Sequence, residues 1–171
     1  MLPLPGTYAA TAQLEALEDV LAENPGMQLV ATDYGQWSRA EAKRVTESLL
    51  IRHPRIDGVF SPAGQMSLGV AEAFEEAGRL QEVVFSPGDE YNGWLKWVSE
   101  HGQGGAVTFP TRAGQVAMQL AVKILSGEPV PANEEVPSEY VPPSEVGDWV
   151  EPDRPDDWWA SDLPEEWKPV P

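Results

Sequence analysis

Short apolar segments alternate with amphipathic helical segments along most of this chain. The first helical segment places Leu14, Leu17 and Leu21 at helical spacing, and the apolar run "MQLVAT" follows it. The apolar runs "IDGVF", "VVFS" and "GAVTF" come later, and each is followed by a further helical pattern. Because short apolar strands joined by amphipathic helices build parallel sheets covered on both faces, the alternation predicts an α/β three-layer sandwich with a mainly parallel sheet.

Local signals predict where the helices begin and end and which faces they bury. Ser38 and Glu41 have the spacing of a capping box, so a helix is expected to begin at Ser38. Gly78 and Gly127 are expected to end two later helices, because glycine readily takes the left-handed conformation that follows a helix. The residues expected to face the core are Ala42, Val45, Leu49, Met66, Val70, Ala73, Ala77, Trp94, Trp97, Ala113, Val116, Leu120 and Ile124.

The C-terminal part of the chain has a different character. It is rich in proline and acidic residues, and "EEVPSEYV" is its one predicted strand. We therefore divide the chain into an α/β lobe at residues 1–141 and an irregular, acidic tail at residues 142–171. Disordered segments are usually poor in large aromatic residues, so we expect the tail to pack on the lobe; a partner-binding arm and free disorder are the alternatives. The tail's tryptophans are Trp149, Trp158, Trp159 and Trp167.

Composition restricts the functions expected of this chain. A net charge of −17 repels phosphate backbones, so no nucleic-acid partner is predicted. The chain has no cysteine and only two histidines, His53 and His101, far apart in sequence, so we predict no enzyme activity, metal site or cofactor. No segment is apolar over the length of a bilayer, and the first residues lack the pattern of a signal peptide, so neither membrane insertion nor a signal peptide is predicted in this chain.

Polar and aromatic residues follow the predicted strands, at the edge of a parallel sheet where ligands bind. Aromatic rings pack on the C–H faces of sugars, while amides and carboxylates pair with hydroxyl groups. The chain is therefore expected to bind a small sugar or polyol non-covalently. An enzyme with a flavodoxin-like fold is a rival, although the sequence has neither a glycine-rich phosphate loop nor a nucleophile elbow. The residues of this expected rim are Asp33, Tyr34, Gln36, Trp37, Gln65, Asp89, Glu90, Tyr91, Asn92 and Thr108.

The run from "YGQWSRAEAKRV" to "IDGVFSPAGQMSLGVAEAFEEAG" resembles the periplasmic sugar-binding proteins of ABC importers, a group related to the effector domains of LacI-type repressors. The segment "AVTFPTRAGQVAMQLAVKILSGEPVP" is similar to the hinge strand and closing helix of that family. The resemblance implies the C-terminal lobe of a type I periplasmic-binding fold, in which two lobes close on a ligand. It also implies an ABC permease as partner and a periplasmic or extracytoplasmic location for the full-length protein.

The resemblance also implies roles for individual residues. Trp37 takes the position of the aromatic that stacks on the sugar, Asp89 falls near an acidic ligand contact, and Thr108 lies where the hinge strand carries a polar group. Two departures concern positions that bind sugar hydroxyls in the family: Ala63 stands in place of an asparagine and Thr11 in place of an arginine. They imply a ligand other than a simple pentose or hexose, or weak or lost binding. The candidate ligand contacts are Trp37, Asp89, Thr108, Ala63, Gln65, Thr11 and Tyr34.

Two further functions are open at this point. The domain could be the ligand-sensing effector domain of a LacI-type regulator, because the two groups share a fold and a fold does not decide function. A single lobe could also act through association, since a lobe without its neighbour exposes apolar surface. A homodimer is therefore an alternative prediction.

Overall fold

Helices and short strands alternate along the chain. The computed structural model describes residues 1–110 and 113–160. The helices are α1 (Tyr8–Glu23), α2 (Arg39–Arg52), α3 (Gly64–Glu76), α4 (Asn92–His101) and α5 (Ala113–Leu125), with 3₁₀ turns at Leu80–Glu82 and Val146–Trp149. The strands are β1 (Gly58–Val59), β2 (Val84–Phe85), β3 (Ala106–Val107) and β4 (Tyr140–Val141).

The strands and single bridges form one mainly parallel arrangement. β1 pairs with β2 in parallel, and β3 pairs with β4 antiparallel. Parallel bridges join Leu2 to Tyr34 and Gly88 to Ala106, and the Met1 amine donates to the Phe60 carbonyl over 2.6 Å. The order across the sheet is therefore Tyr34, Leu2, β1, β2, β3, β4. The predicted α/β architecture is confirmed.

The predicted strand at "MQLVAT" is wrong. Leu2 pairs with Tyr34, but residues 27–32 form no ladder with any described residue and take no strand structure. Apolar side chains in this segment are consequently exposed, among them Met27 and Val30. A strand needs a neighbour that satisfies its backbone groups, and local apolar character does not provide one.

Capping signals in the sequence predict the helix ends well. The Ser38 hydroxyl accepts a hydrogen bond from the Glu41 amide over 3.3 Å, so Ser38 is the N-cap of α2 as expected. Gly78 and Gly127 follow α3 and α5 with φ values of 67° and 75°. This left-handed conformation suits glycine and stops the helix.

Aromatic side chains form the centre of the core. Trp94 and Trp97 are stacked with their ring centroids 5.0 Å apart, and Phe85 meets both rings edge-on. Trp94 is fully buried, and its indole nitrogen donates to the Gly105 carbonyl over 2.8 Å. The prediction that both tryptophans belong to the core is confirmed.

Helix α5 departs most from the predicted core. None of its described residues is fully buried. Of the predicted inward residues, Val116 and Leu120 are half-buried, but Ala113 is exposed and Ile124 is 59% exposed, so the predicted inward face is wrong at both ends of the helix. Ala77 is also exposed, because it caps the end of α3 instead of lying inside it. The apolar face of α5 is therefore left without a described partner. Its exposed apolar residues are Met118, Val122, Ile124 and Leu125.

We expect Gly69→Ala to destabilise the lobe by at least about 3 kcal/mol, because α2 and α3 touch at this glycine. A Cβ at position 69 would lie 2.1 Å from the Arg39 carbonyl oxygen, so backbone would have to move. Gly114→Ala is the matched control, since nothing lies within 4 Å of its added Cβ. It should be neutral or slightly stabilising. Urea denaturation of both variants checks this, and equal stability of the two would contradict close packing at Gly69.

Part of the tail packs against α4. Val146 is fully buried, and the backbone amides of Asn92 and Gly93 donate to the carbonyls of Trp158 and Asp156 over 2.8 and 2.9 Å. The tail carbonyls thus satisfy the free amides at the start of α4. Trp149, Trp158 and Trp159 are half-buried, whereas Trp167 lies outside the described residues. The division of the chain at residue 141 stays a prediction.

Candidate functional site

The turns after β1 and β2 are joined to each other. The Ser61 amide donates to the Ser86 hydroxyl over 3.0 Å, and that hydroxyl donates in turn to the Pro87 carbonyl over 3.2 Å. Ser86 directly follows β2, and Ser61 comes one residue after the end of β1. The two strand ends therefore form one continuous edge, which is where the ligand rim was expected.

Trp37 is presented at this edge by a strained turn. Gln36 and Trp37 both have positive φ angles, 52° and 54°, which residues other than glycine rarely adopt. Trp37 is 41% exposed, and its backbone carbonyl accepts a hydrogen bond from the side-chain amide of Gln65 over 2.8 Å. Residues in such rare backbone conformations are kept there by the structure around them, and they cluster at functional sites. Trp37 and Gln65, two candidate contacts, are thus brought together between α2 and α3.

Asp89 lies at the same edge but points into the protein. It is only 8% exposed, and its Oδ1 accepts a hydrogen bond from the Gly64 amide over 2.7 Å. The N-cap position of α3 is Ala63, which has no capping side chain, so Asp89 supplies the cap from a distant part of the chain. Burial raises the pKa of Asp89 to about 6, although backbone hydrogen bonds from residues including Gly64 and Tyr91 act in the opposite direction.

The Ala63–Gly64 pair makes this arrangement possible. A Cβ at position 64 would lie 2.7 Å from the Asp89 Oδ1 atom and 2.7 Å from the Tyr91 Cβ atom. Only glycine leaves room for the carboxylate to reach the start of α3. Ala63 is buried and offers no polar side chain to a ligand. The alanine that the resemblance sets in place of an asparagine thus lies beside the glycine that lets Asp89 point inward.

The tail covers the next three rim residues. The Glu90 carbonyl accepts from the Ala160 amide over 3.1 Å, and Tyr91 forms an antiparallel bridge with Trp159. Within residues 1–110 and 113–160, the fully buried Asn92 side chain hydrogen-bonds to tail backbone alone, donating to the carbonyls of Glu151, Arg154 and Pro155 and accepting from the Glu151 amide. Asn92 therefore holds the tail where sequence reasoning placed a ligand.

Thr108 lines a small pocket whose walls do not include Trp37. Its hydroxyl accepts from the Glu139 amide over 2.8 Å, and its own amide donates to the Glu139 carbonyl. The buried Glu90 side chain accepts from the Phe109 amide over 2.6 Å. The pocket has a volume of about 160 Å³ and is lined by Glu90, Thr108, Phe109, Pro110, Pro137, Glu139 and Trp149.

The remaining candidates serve local structure. The Thr11 hydroxyl donates to the Thr7 carbonyl over 3.1 Å within α1, and the residue is exposed. Tyr34 is half-buried in the bridge to Leu2. Sequence reasoning missed Arg39, which donates to Glu72 over 2.9 Å and to Asp156 of the tail over 3.1 Å. No local signal marks a contact between residues 117 positions apart.

Comparison with known proteins identifies the family. The profile described as the periplasmic binding protein domain matches residues 3–129. The chain belongs to the periplasmic binding protein family. Its α/β lobe has the type I fold of that family, as the structural similarity to other periplasmic binding proteins shows. Among the helices of residues 1–110 and 113–160, none is both long and apolar enough to span a bilayer.

Three similar proteins illustrate the relationship of this periplasmic binding protein domain to others. It is 33% identical over 75 residues to the D-apiose import binding protein of Actinobacillus succinogenes, covering 44% of this chain and 24% of that protein. It is 26% identical over 132 residues to the ribose import binding protein RbsB of Salmonella typhimurium, covering 77% of this chain and 44% of that protein. An ABC transporter solute binding protein from Bacillus halodurans with bound myo-inositol superposes with a TM-score of 0.78 at 25% identity, over 87% of this chain and 52% of that one.

The chain spans less than half the length of these two curated relatives and about half the length of that structure. Both curated relatives are named for import of a sugar.

Proposed function

We propose that this chain is the C-terminal lobe of a solute-binding protein that captures a small sugar or polyol for an ABC importer, without carrying out chemistry. The observation that carries the proposal is the exposed Trp37 ring, held by a strained turn and by Gln65 at the edge where the strands end. An aromatic ring beside an amide suits the C–H face and hydroxyl groups of a sugar.

The comparisons support a transport role over that of a LacI-type regulator. The curated relatives reported above are import binding proteins for D-apiose and ribose, and the similar structure holds myo-inositol. The LacI-type effector domain, which shares the fold, has no such support here. By this proposal the full-length protein is periplasmic or extracytoplasmic and delivers its ligand to a membrane permease.

The uncovered face of α5 supports a second lobe. Met118 and Val122 on this helix are 67% and 60% exposed, and α5 carries no acidic residue although the chain has a net charge of −17. Soluble proteins rarely leave a contiguous apolar helix face exposed to water, and such a face marks a surface that contacts another domain or chain. We propose that α5 packs on the other lobe of the complete protein, and that a homodimer forms through the same face when that lobe is missing.

The proposed site is incomplete in this lobe. Trp37 and Gln65 form the proposed binding platform. Asp89 uses its Oδ1 atom to accept a hydrogen bond at the start of α3, so that oxygen is not available to a ligand. Thr108 and Tyr34 are proposed outer contacts. The Thr11 hydroxyl is bonded to the Thr7 carbonyl, and Ala63 has no polar side-chain group. A ligand bound on one wall loses the contacts of the second wall, so we expect weak binding by the chain alone.

Calorimetric titration of this chain with D-apiose, D-ribose and myo-inositol tests the proposal. We expect saturable binding for one of these ligands, and a loss of at least about tenfold in affinity for Trp37→Ala, because ring stacking is removed. Tyr140→Ala removes an aromatic ring of β4 that is 59% exposed and should leave the affinity unchanged. The proposed platform is wrong if both variants bind alike, and sugar capture by this lobe is wrong if none of the three ligands binds.

A further inference from the structure

Asp156 of the tail lies between two helices of the lobe. One of its carboxylate oxygens accepts a hydrogen bond from the Arg39 guanidinium over 3.1 Å, and the other lies 3.6 Å from the Lys96 ammonium. The Asp156 carbonyl also accepts from the Gly93 amide over 2.9 Å, which fixes the tail backbone at this point. Because Arg39 begins α2 and Lys96 belongs to α4, this one carboxylate joins the start of α2 to α4. Asp156 lies outside residues 3–129, which match the periplasmic binding protein domain.

Helix α3 holds the Arg39 side chain from a second direction. The Arg39 Nε atom donates to Glu72 over 2.9 Å, and the Nη2 atom contacts the same carboxylate. The backbone of Arg39 is confined as well, because a Cβ added at Gly69 would lie 2.1 Å from the Arg39 carbonyl oxygen. A guanidinium that offers different nitrogens to two carboxylates has a fixed orientation. The first residue of α2 is therefore held by α3 on one side and by the tail on the other.

The turn that presents Trp37 ends at this arginine. Gln36 and Trp37 have φ angles of 52° and 54°, and such conformations persist only where the surrounding structure determines them. Before the turn, the Gly35 amide donates to the Leu2 carbonyl over 2.8 Å. After the turn, the contacts of Arg39 fix the start of α2. The strained turn is thus held at both ends, and one of the contacts at its second end comes from the tail.

We propose that Asp156 is a positioning residue for the Trp37 ring, on which it acts through Arg39. The tail thereby affects how tightly the platform of Trp37 and Gln65 binds its ligand, a consequence that rests on the sugar binding proposed above. The side chains of Arg39 and Asp156 are 40% and 44% exposed, so dissolved salt weakens their attraction. Sugars and polyols carry no charge. A dependence of their affinity on salt therefore reports on ion pairs within the protein.

Asp156→Asn tests the positioning role in the full chain. Asparagine keeps the size of the side chain and the backbone carbonyl that binds Gly93, but it removes the charge that pairs with Arg39. The turn should then exchange between two conformations, so we expect the indole N–H resonance of Trp37 to broaden at least about twofold in NMR spectra. The resonance is identified by its absence from the spectrum of Trp37→Phe.

Two further variants separate positioning from a general effect of charge. Asp157→Asn is the matched control, because it removes the same charge from the adjacent, exposed residue, which has no ion-pair partner in the described part of the chain. It should leave the Trp37 resonance as it is in the parent. Asp156→Glu keeps the charge on a longer side chain and should restore most of the narrow line width.

Calorimetric titration with D-apiose, D-ribose and myo-inositol measures the consequence for binding. We expect the affinity for the sugar or polyol that the parent binds to fall about threefold in Asp156→Asn and to stay unchanged in Asp157→Asn. Raising the NaCl concentration from about 20 mM to about 500 mM should lower the affinity of the parent by a similar factor. The same change of salt should leave the affinity of Asp156→Asn nearly constant, since its ion pair is already lost.

The outcomes distinguish this proposal from the sugar-binding function on which its second part rests. Equal Trp37 line widths in the parent and in Asp156→Asn would overturn the positioning role, whatever the titrations give. Equal broadening in Asp156→Asn and Asp157→Asn would overturn it as well, because any lost negative charge would then act alike. If the parent binds none of the three ligands and Asp156→Asn alone broadens the resonance, the sugar-binding function fails while the positioning role is supported.

Discussion

The stability of this lobe is expected to fall by on the order of 2 kcal/mol as the pH rises from about 4 to about 6, because of Asp89 alone. Burial raises the pKa of this carboxyl from 3.8 to about 6 in the folded protein. The folded state therefore holds the Asp89 proton more tightly than the unfolded chain does. The stabilisation is complete below the unfolded pKa and is lost as the pH rises through the folded pKa.

Asp89→Asn isolates this contribution. The side-chain amide can still accept a hydrogen bond from the Gly64 amide through its oxygen, but it carries no charge to bury. Urea denaturation from pH 4 to pH 7.5 should therefore show a smaller decline for the variant than for the parent. Taking the difference between the two chains removes the effect of the other carboxylates, which titrate in both.

The Gly64 amide resonance gives an independent check. It lies 2.7 Å from the Asp89 Oδ1 atom, so its chemical shift should titrate with a midpoint near 6. A midpoint near 3.8 together with parallel stability curves for the two chains would show that burial does not disfavour the Asp89 charge.

Asn92→Ala is expected to destabilise the protein by at least about 3 kcal/mol and to release the tail. The Asn92 side chain is fully buried and makes hydrogen bonds with the backbone of Glu151, Arg154 and Pro155. A hydrogen bond of this kind contributes about 0.5–1.5 kcal/mol to stability. The variant removes four of them at once and leaves a cavity in the core, although the three carbonyls keep donors from Arg154, Trp158 and Lys96.

Two measurements distinguish tail release from general destabilisation. Urea denaturation gives the loss of stability, and limited proteolysis with chymotrypsin should cleave Asn92→Ala near Trp158 faster than the parent. Asn24→Ala is the matched control: that side chain bonds to the Val20 carbonyl at the exposed end of α1, so its loss should stay within about 0.5 kcal/mol. Similar losses for the two variants would contradict a special role for Asn92.

The sequence predicts the local features of this fold well. Helices α2 and α3 follow from capping signals at Ser38 and Gly78, because these signals depend on neighbouring residues only. The unpaired segment at residues 27–32 could not be predicted in the same way. Its apolar pattern suits a strand, but a strand also depends on a distant partner. Helix α5 has the apolar periodicity of a buried helix. Whether another element covers it depends on residues elsewhere, so its own sequence could not predict its exposure.

The candidate site is predicted less completely, for the same reason. Trp37 follows a predicted strand and lies at the expected edge, as position in the chain suggested. Asp89 and Asn92 were also placed at that edge, but their contacts with Gly64 and with the tail join residues 25 or more positions apart. Whether a polar side chain faces a ligand or another part of the chain is decided by such distant contacts.

The hydrogen bonds between Asn92 and the tail affect which residues can be substituted without loss of the fold. The side-chain hydrogen bonds of Asn92 with residues 151–155 all go to main-chain atoms. These hydrogen bonds therefore do not depend on the side chains of residues 151–155, provided that the backbone keeps its path. Substitutions should be tolerated at Asp153, whereas Arg154 stacks on the Trp158 ring and two prolines constrain the backbone path. The single asparagine that holds this backbone leaves little freedom for replacement.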